Sequence, residues 1–300
     1  MFKKIVTKLV LAATLACTTG TIAMSAAACN VETDHPTVKI TVEVRPDTQY
    51  SSTYELEYTL YRNMYPNTVR HFIELADSGF YNNMIVHDYQ AADWLSGGYK
   101  YDAASYSSGA TSGTLSDYFN NEDISKANDY ISLFESGALT PSVYDSANPD
   151  VAWPTLVGEF SSNRSPEIKQ GQFSAEAGVL KMYYYTKNTK ERVLVKFNDG
   201  TKYTRQYMYN CATSIFAMQV AGGTNISGAN YCAFGRISNG NTLNKLVEAT
   251  SDINSTSTIS NIFVDNWDTY SPDRGDQSIS VSFKQPSEPI IIKSVKVTKY

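Results

Sequence analysis

The sequence predicts a mainly β fold, and three observations support this prediction. Segments 38–44 and 54–60 alternate apolar and polar residues, as half-buried strands do. Asp199-Gly200 separates two further runs rich in strand-forming residues, which is a strong hairpin signal. The chain has 300 residues, and 22 of them are Tyr, a residue that suits both strands and binding surfaces.

The first 28 residues read as an export signal rather than as part of the fold. Three Lys precede an apolar stretch at 9–16, and small residues follow up to Ala28. The apolar stretch is too short for a comfortable membrane span. Residues 29–36 then form a polar tether, and 37–300 form a single domain.

Cys29 directly follows three Ala, which resembles the bacterial signal for attaching lipid to a new N-terminal Cys. We therefore expect an extracytoplasmic protein that is anchored to the membrane through Cys29. Two alternatives stay open, namely attachment at Cys17 and ordinary cleavage after Ala28. Removing three Lys moves the formal net charge from −5 to −8, which argues against nucleic-acid binding.

The element order within 37–300 begins with two strands, a helix and a third strand. Pro66 opens the helix, and Gly79 lies just past its end. A Ser/Gly/Tyr-rich insert near 99–155 carries a short helix with Ser125 as possible N-cap and Gly137 beyond its end. The later elements are strands at 84–87, 179–185, 214–220, 231–237 and 289–297, a hairpin at 193–209 and a short helix near 243–247. Further inserts are expected near 186–210 and 250–285.

Several local motifs occur in an order that resembles one known family. Pro66-Asn67-Thr68-Val69 with His71-Phe72, followed by Gly79-Phe80-Tyr81, is similar to the first helix of cyclophilins. Ile85-Val86-His87 and Gly97-Gly98 resemble that family's Phe-His strand and Gln-Gly-Gly segment. In the second half, Gly178 to Met182, Ser214-Ile215-Phe216 and Tyr231 to Ile237 are similar to further cyclophilin strands. The resemblance covers most of 37–300 apart from the inserts.

The resemblance implies a closed antiparallel β-barrel capped by two helices, with a packed interior and a peptide groove on the outer surface. It also implies a peptidyl-prolyl cis-trans isomerase without a cofactor, acting on proline-containing peptides or unfolded exported proteins. In cyclophilins an Arg directly after the strand His donates a hydrogen bond near the prolyl nitrogen. Here that residue is Asp88, which cannot donate when ionised.

We hypothesise that Arg192 or Arg205 of the hairpin insert supplies the missing donor, although a solvated basic hairpin is the simpler interpretation. Other positions also depart from the family pattern, with Asp93 and Trp94 in place of apolar residues and Tyr183 in place of a small one. The expected groove residues are Phe216, Met182, Trp94, Ser214, Tyr183, Tyr231 and His87.

We expect His87 to be a buried, hydrogen-bonded strand residue rather than an acid–base group. The three His show no spacing typical of a metal site. If the strands around Met218 and Cys232 pair as a hairpin, Cys211 lies too far from Cys232 for a disulfide.

Three functions remain open from the sequence. The first is an exported prolyl isomerase that assists protein folding. The second is a catalytically inactive cyclophilin-like module that binds peptides or a partner protein, and Asp88 is the residue that separates the first two. The third is a surface adhesion or glycan-binding lipoprotein, which only the Tyr-rich loops suggest.

Overall fold

A computed structural model describes residues 34–108, 118–119, 121, 123–159, 173–184, 191–196, 200, 202–207, 211–224, 231–260 and 281–300. The predicted export signal and Cys29 lie outside these ranges. Within them the helices are α1 Pro66–Asp77, α2 Ala103–Ser108, α3 Ala127–Glu135 and α4 Gly240–Ala249.

The strands follow in chain order, and most are antiparallel partners in one large sheet. They are β1 Thr37–Val44, β2 Ser52–Leu60, β3 Met84–Ile85, β4 Asp88–Tyr89, β5 Asp93–Ser96, β6 Val143–Asp145, β7 Ala152–Trp153, β8 Leu156–Val157, β9 Val179–Tyr183, β10 Glu191–Lys196, β11 Lys202–Tyr207, β12 Cys211–Ala212, β13 Phe216–Gln219, β14 Tyr231–Ile237, β15 Ser255–Ser260, β16 Val281–Pro286 and β17 Ile290–Lys299. The large sheet has the order β3-β17-β1-β2-β14-β9-β13-β5-β4.

The segment 84–89 closes this sheet into a barrel. Its first half, β3, pairs with β17, and its second half, β4, pairs with β5. Between them the Val86 amide donates to the Ile290 carbonyl at 2.8 Å, and the His87 amide donates to the Leu95 carbonyl at 3.0 Å. The two ends of the sheet are therefore joined through one continuous piece of backbone.

The barrel interior is a packed hydrophobic core, as predicted. Alternate residues of β1 are fully buried, because successive side chains of a strand point to opposite faces. The Phe72 ring of α1 packs against the rings of Phe216 and Phe234 at centroid distances of 5.4 and 5.0 Å. Helix α4 contributes the buried side chains of Leu243 and Leu246 at another part of this core.

The helix boundaries follow the sequence signals closely. Helix α1 starts at Pro66, and Gly79 beyond its end has a φ of +74° that favours glycine. Helix α3 is followed by Gly137 at φ +78°, but its N-cap is Lys126 without a side-chain cap, so the Ser125 prediction was wrong by one residue.

Two of the predicted inserts combine into a second sheet. The hairpin of β10 and β11 is confirmed around Gly200, and β10 also pairs with β6 of the 99–155 insert. The resulting order is β11-β10-β6-β7. The 250–285 insert supplies a separate hairpin of β15 and β16.

One predicted pairing is wrong. The strands around Met218 and Cys232 do not form a hairpin, because β9 lies between β13 and β14 and pairs with both. Cys232 faces the interior as a free, fully buried thiol. Burial raises the pKa of this thiol, which keeps it protonated.

Glu159, which lies just after the 99–155 insert, accepts hydrogen bonds at the start of α1 and so fastens this part of the chain to the barrel. Its carboxylate accepts from the backbone amides of Asn67 and Thr68 at 3.0 and 2.8 Å and from the Thr68 hydroxyl at 2.6 Å. These donors are otherwise unpaired at a helix N-terminus, where a negative charge is favourable. Burial raises the pKa of Glu159, while these hydrogen bonds oppose the shift.

Replacing Glu159 with Ala is expected to lower the free energy of unfolding by about 2–3 kcal/mol, because it leaves buried amides without an acceptor. Urea denaturation monitored by circular dichroism measures this loss. Glu159→Gln is the matched control, since it keeps one acceptor oxygen and should lose less. Equal losses for both variants would contradict the capping role.

Candidate functional site

The outer face of the barrel carries a row of residues that begins at Asp88. Strand registers pair Asp88 with Leu95, Leu95 with Ala217, and Ala217 with Lys181. Directly opposed residues of antiparallel strands share a face of the sheet. Asp88 and Lys181 are three strands apart, about 14 Å at a spacing of 4.7–4.9 Å, so they do not pair directly.

Lys181 instead forms an ion pair with Asp93 that is completely buried. The Lys181 ammonium donates to Asp93 Oδ1 at 2.7 Å and to Thr224 Oγ1 at 2.9 Å. Thr224 donates in turn to Asp93 Oδ2 at 2.8 Å, which closes a three-membered network. Both charged side chains have 0% exposure. The ammonium also lies 4.5 Å from the centre of the Tyr231 ring, a favourable cation–π distance.

The surroundings of Lys181 shift its protonation equilibrium in opposing directions. Burial lowers the pKa of Lys181, and the hydrogen bond and charge of Asp93 act to raise it. A buried charge is tolerated only where it is paired and hydrogen-bonded, and the three-membered network meets that condition.

Around this ion pair lies a patch of apolar side chains, which we call the outer patch. Its buried members are Leu95, Val179, Ala217, Tyr231 and Ala233, and its partly exposed members are Phe173, Tyr183 and Ile215. The five buried members are covered by other parts of the chain, so the accessible apolar surface here is that of Phe173, Tyr183 and Ile215. The resemblance places the peptide groove on this outer side of the barrel.

One carboxylate oxygen of the half-buried Asp88 is hydrogen-bonded to the β15–β16 hairpin and to Gln90. Its Oδ1 accepts from the Lys284 backbone amide at 2.8 Å and from the Gln90 side-chain amide at 2.8 Å. Burial raises the pKa of Asp88, and these two hydrogen bonds oppose the shift. The side chain therefore accepts a hydrogen bond that links the 250–285 insert to β4, and it does not donate one to a bound peptide.

His87 lies inside the structure between two aromatic rings. The ring is 4% exposed and packs edge-on against Tyr99 and Phe283 at 5.0 and 5.8 Å. Its Nδ1 is buried without a hydrogen-bond partner. Burial lowers the pKa of His87 to about 3, so the ring is neutral at physiological pH. The burial expected for His87 is confirmed, whereas the expected hydrogen bond is missing at Nδ1. The ring does not face the outer groove.

His87→Phe is expected to change the acid sensitivity of the fold. The folded-state pKa of His87 lies below its unfolded value of about 6.5, so its contribution to stability is present above that pH. That contribution falls by about 1.4 kcal/mol for each unit as the pH drops towards 3. Denaturant titrations at several pH values should show that the wild type loses this amount relative to His87→Phe. Parallel pH profiles for the two proteins would contradict the assignment.

Three predicted groove residues lie in the barrel core and not on its outer face. Phe216 and Met182 have no exposed surface, and Trp94 is 2% exposed, all within the interior cluster. The expectation that they wall an outward groove is therefore corrected. The physical reason is the two-residue period of a strand, which turns Phe216 inwards and its neighbours Ile215 and Ala217 outwards.

The remaining predicted groove residues lie at or near the outer patch. Tyr231 and Tyr183 are register partners within it. Tyr184, the next residue, is fully buried in the core, in agreement with the expected alternation. Ser214 is 6% exposed and donates to the Gly97 carbonyl at 2.7 Å. Gly97 has a φ of +92°, and a Cβ there would lie 2.4 Å from the Ser214 carbonyl, so this contact requires glycine.

Arg192 and Arg205 lie in the second sheet rather than in the barrel. Arg192 of β10 is opposite Gln206, and Arg205 of β11 is opposite Val193. The structure thus places the two hypothesised donors on β10 and β11 of the second sheet, whereas Asp88 lies on a strand of the barrel.

Within the described ranges, no group of three or more His, Cys, Asp and Glu side chains is arranged to hold a metal ion. In the same part of the chain, no helix is both long and apolar enough to cross a membrane.

Comparison with known proteins identifies the family of this chain. The family model described as cyclophilin type peptidyl-prolyl cis-trans isomerase/CLD matches residues 45–267. The chain therefore belongs to the cyclophilin-type peptidyl-prolyl cis-trans isomerases, a family of isomerases. Among curated proteins, no match is found.

Solved cyclophilin structures are similar to this chain at low identity. A Cryptosporidium parvum cyclophilin type peptidyl-prolyl cis-trans isomerase is 15% identical with a TM-score of 0.37, and the match covers 89% of this chain and 99% of that one. The same protein in the presence of the dipeptide Ala-Pro gives 15% identity, a TM-score of 0.35, and 87% and 99% coverage. The Mimivirus cyclophilin is 12% identical with a TM-score of 0.38, and the match covers 90% and 92% of the two chains.

Two residues at the site were not identified from the sequence as a pair. In the sequence, Asp93 is only a departure from an apolar position, and Lys181 is only part of a strand motif. A Lys inside the otherwise apolar run Val179 to Met182 is the signal that indicates a buried, paired cation.

Proposed function

We propose that this chain is an exported peptidyl-prolyl cis-trans isomerase that binds proline-containing segments on the outer patch and assists the folding of exported proteins. Membership of the isomerase family supports the reaction type. The observation that carries the choice of site is the outer patch, whose partly exposed Phe173, Tyr183 and Ile215 offer an apolar surface to a proline ring.

Such a surface can accelerate isomerisation without a nucleophile. The barrier of about 18–20 kcal/mol arises because the planar amide has partial double-bond character. The planar amide is also the more polar form. Transfer from water to an apolar surface therefore raises the free energy of the planar form more than that of the twisted form. Because Asp88 accepts hydrogen bonds from the hairpin, desolvation is the main contribution that this site makes.

The first test is a proline-limited isomerisation assay on residues 30–300, with a short X–Pro peptide and a slowly refolding protein as substrates. We expect acceleration by the wild type and a loss of at least about tenfold for Ile215→Asp, which puts a charge in the patch. Lys245→Asp on the exposed face of α4 is the control variant. No acceleration by folded protein would reject the proposal.

The same assay tests the donor hypothesis. If Arg192 or Arg205 replaces the missing family Arg, substitution of that residue with Ala lowers the rate. Unchanged rates for Arg192→Ala and Arg205→Ala would leave desolvation as the only contribution.

A second candidate function is that of an inactive peptide-binding module. The observation that favours it is the engagement of the Asp88 carboxylate with Lys284 and Gln90, at the position where the family has its donor. Binding of a proline-containing peptide at the outer patch, measured by fluorescence anisotropy, without any acceleration in the assay would select this alternative.

The proposed export and lipid attachment rest on the sequence of residues 1–29. Cys29→Ser is expected to move the protein from the membrane fraction to the soluble extracytoplasmic fraction and to remove the lipid mass from its N-terminal peptide. Cys17→Ser is the matched control and should change neither result. Membrane retention of the Cys29→Ser protein would reject anchoring at that residue.

A further inference from the structure

The loop 221–224, which follows β13, is attached to the barrel through the buried Lys181–Asp93 ion pair. The hydroxyl of Thr224, the last residue of this loop, accepts from the Lys181 ammonium at 2.9 Å and donates to Asp93 Oδ2 at 2.8 Å. Thr224 is exposed, whereas both charged side chains have no exposed surface. Because Lys181 belongs to β9 and Asp93 to β5, this one hydroxyl links a surface loop to two strands of the barrel.

A second buried side chain holds the carbonyl groups of the same loop. Gln219, at the end of β13, has no exposed surface. Its side-chain amide donates to the Ala221 carbonyl at 3.1 Å and also to the Gly223 carbonyl. Gly223 has a φ of +82°, in the left-handed region that favours glycine. The conformation of the loop therefore depends on side-chain hydrogen bonds at both of its ends.

The loop in turn holds the segment that carries Phe173, one of the three accessible residues of the outer patch. The Gly223 amide donates to the Ala175 carbonyl at 3.1 Å, two residues beyond Phe173. An ion pair between Glu176 and Arg236 also contacts this segment, but its side chains are 45% and 47% exposed. Exposed ion pairs contribute little, so the backbone bond from Gly223 is the stronger attachment next to Phe173.

We propose that Thr224 is a positioning residue of the prolyl isomerase, which acts through loop 221–224 to hold Phe173 at the outer patch. This inference rests on the proposed function, in which the outer patch binds the proline-containing segment. The ion pair fixes Thr224, the loop connects Thr224 to Gly223, and Gly223 fixes the backbone beside Phe173. Misplacing a binding group by about 1 Å can lower a rate by as much as about a hundredfold, so a remote hydroxyl can affect the reaction.

Substitutions of the hydroxyl separate this role from packing. Thr224→Val keeps the shape of the side chain and removes the hydroxyl, whereas Thr224→Ser keeps the hydroxyl. In the isomerisation assay we expect Thr224→Val to lower kcat/KM by at least about threefold and Thr224→Ser to keep most of the wild-type value. Thr53→Val, at an exposed position of β2, is the control and should leave kcat/KM unchanged. Circular dichroism establishes that each variant is folded at the assay temperature.

A double-mutant cycle tests whether Thr224 acts through Phe173. Phe173→Ala alone is expected to lower kcat/KM by at least about threefold. In the Phe173→Ala protein, Thr224→Val should cause no further loss, because the side chain that Thr224 positions is absent. A structural effect that does not pass through Phe173 would add its full loss in the double variant. Full additivity therefore overturns the inference even when both single variants are impaired.

Peptide binding provides a second measurement on the same proteins. Fluorescence anisotropy gives the dissociation constant of a labelled proline-containing peptide, and these constants replace kcat/KM in the cycle if the wild type binds without accelerating. A wild type that accelerates or binds, with an unchanged Thr224→Val variant, rejects this inference alone. A folded wild type that does neither rejects the proposed function and this inference with it.

Discussion

Lys181→Met is expected to lower the free energy of unfolding by about 3–5 kcal/mol. The substitution keeps the length of the side chain but leaves the Asp93 carboxylate buried without its cation, at 0% exposure. Because the pair is buried, the loss should change little with salt concentration. Urea denaturation at low and high salt measures both quantities.

Two further variants make this prediction specific to the ion pair. Replacing both partners, as Lys181→Met with Asp93→Leu, should recover most of the loss because no unpaired charge remains. Lys39→Met breaks the exposed pair with Glu55 and should have a far smaller effect. A double variant as unstable as Lys181→Met would show that the two side chains do not act as a pair.

Phe216→Ala is expected to cost about 3–5 kcal/mol, because it leaves a cavity in the barrel core. The ring packs at 5.4 Å from Phe72 and 5.0 Å from Tyr81, measured between centroids. Ile215→Ala, one residue earlier on the outer patch, should cost clearly less because Ile215 is only partly buried. Thermal and urea unfolding of the two variants provide the measurement.

The comparison of these neighbours also tests the register of β13. If Ile215→Ala proves the more destabilising of the two, the strand is shifted by one residue and Phe216 returns to the outer face. A shift of one residue exchanges every side chain between the two faces of a strand.

This sensitivity explains how far the sequence could predict the site. The motif Ser214-Ile215-Phe216 located the strand correctly, because its position depends on the order of elements along the chain. It did not determine which of the two apolar residues faces outwards, since either one fits a strand with one apolar face. The prediction from sequence therefore places Phe216 in the groove and gives Ile215 no role.

The paired charges show a different limit. Asp93 and Lys181 are 88 positions apart in sequence, and their contact depends on β13 lying between β5 and β9. Each residue alone looks like an exception to an apolar pattern. Their pairing became visible only when the strand order brought them to one face.

The barrel and its helices were more predictable, because local signals determine them. Alternation in β1 and β2 and the glycine after α1 each lie within a few residues of the element they specify. The union of two inserts into one sheet was not foreseen, since the three-residue β6 and the two-residue β7 are too short to show a periodic pattern.

Closure of the barrel through segment 84–89 also has a consequence for the order of folding. The segment needs β5, which follows it closely, and β17, which lies about two hundred residues later in the chain. Pairs such as Val44 with Ile290 are equally distant in sequence. Such a high contact order predicts slow folding. The barrel cannot close until residues 290–292 are available to pair with segment 84–89.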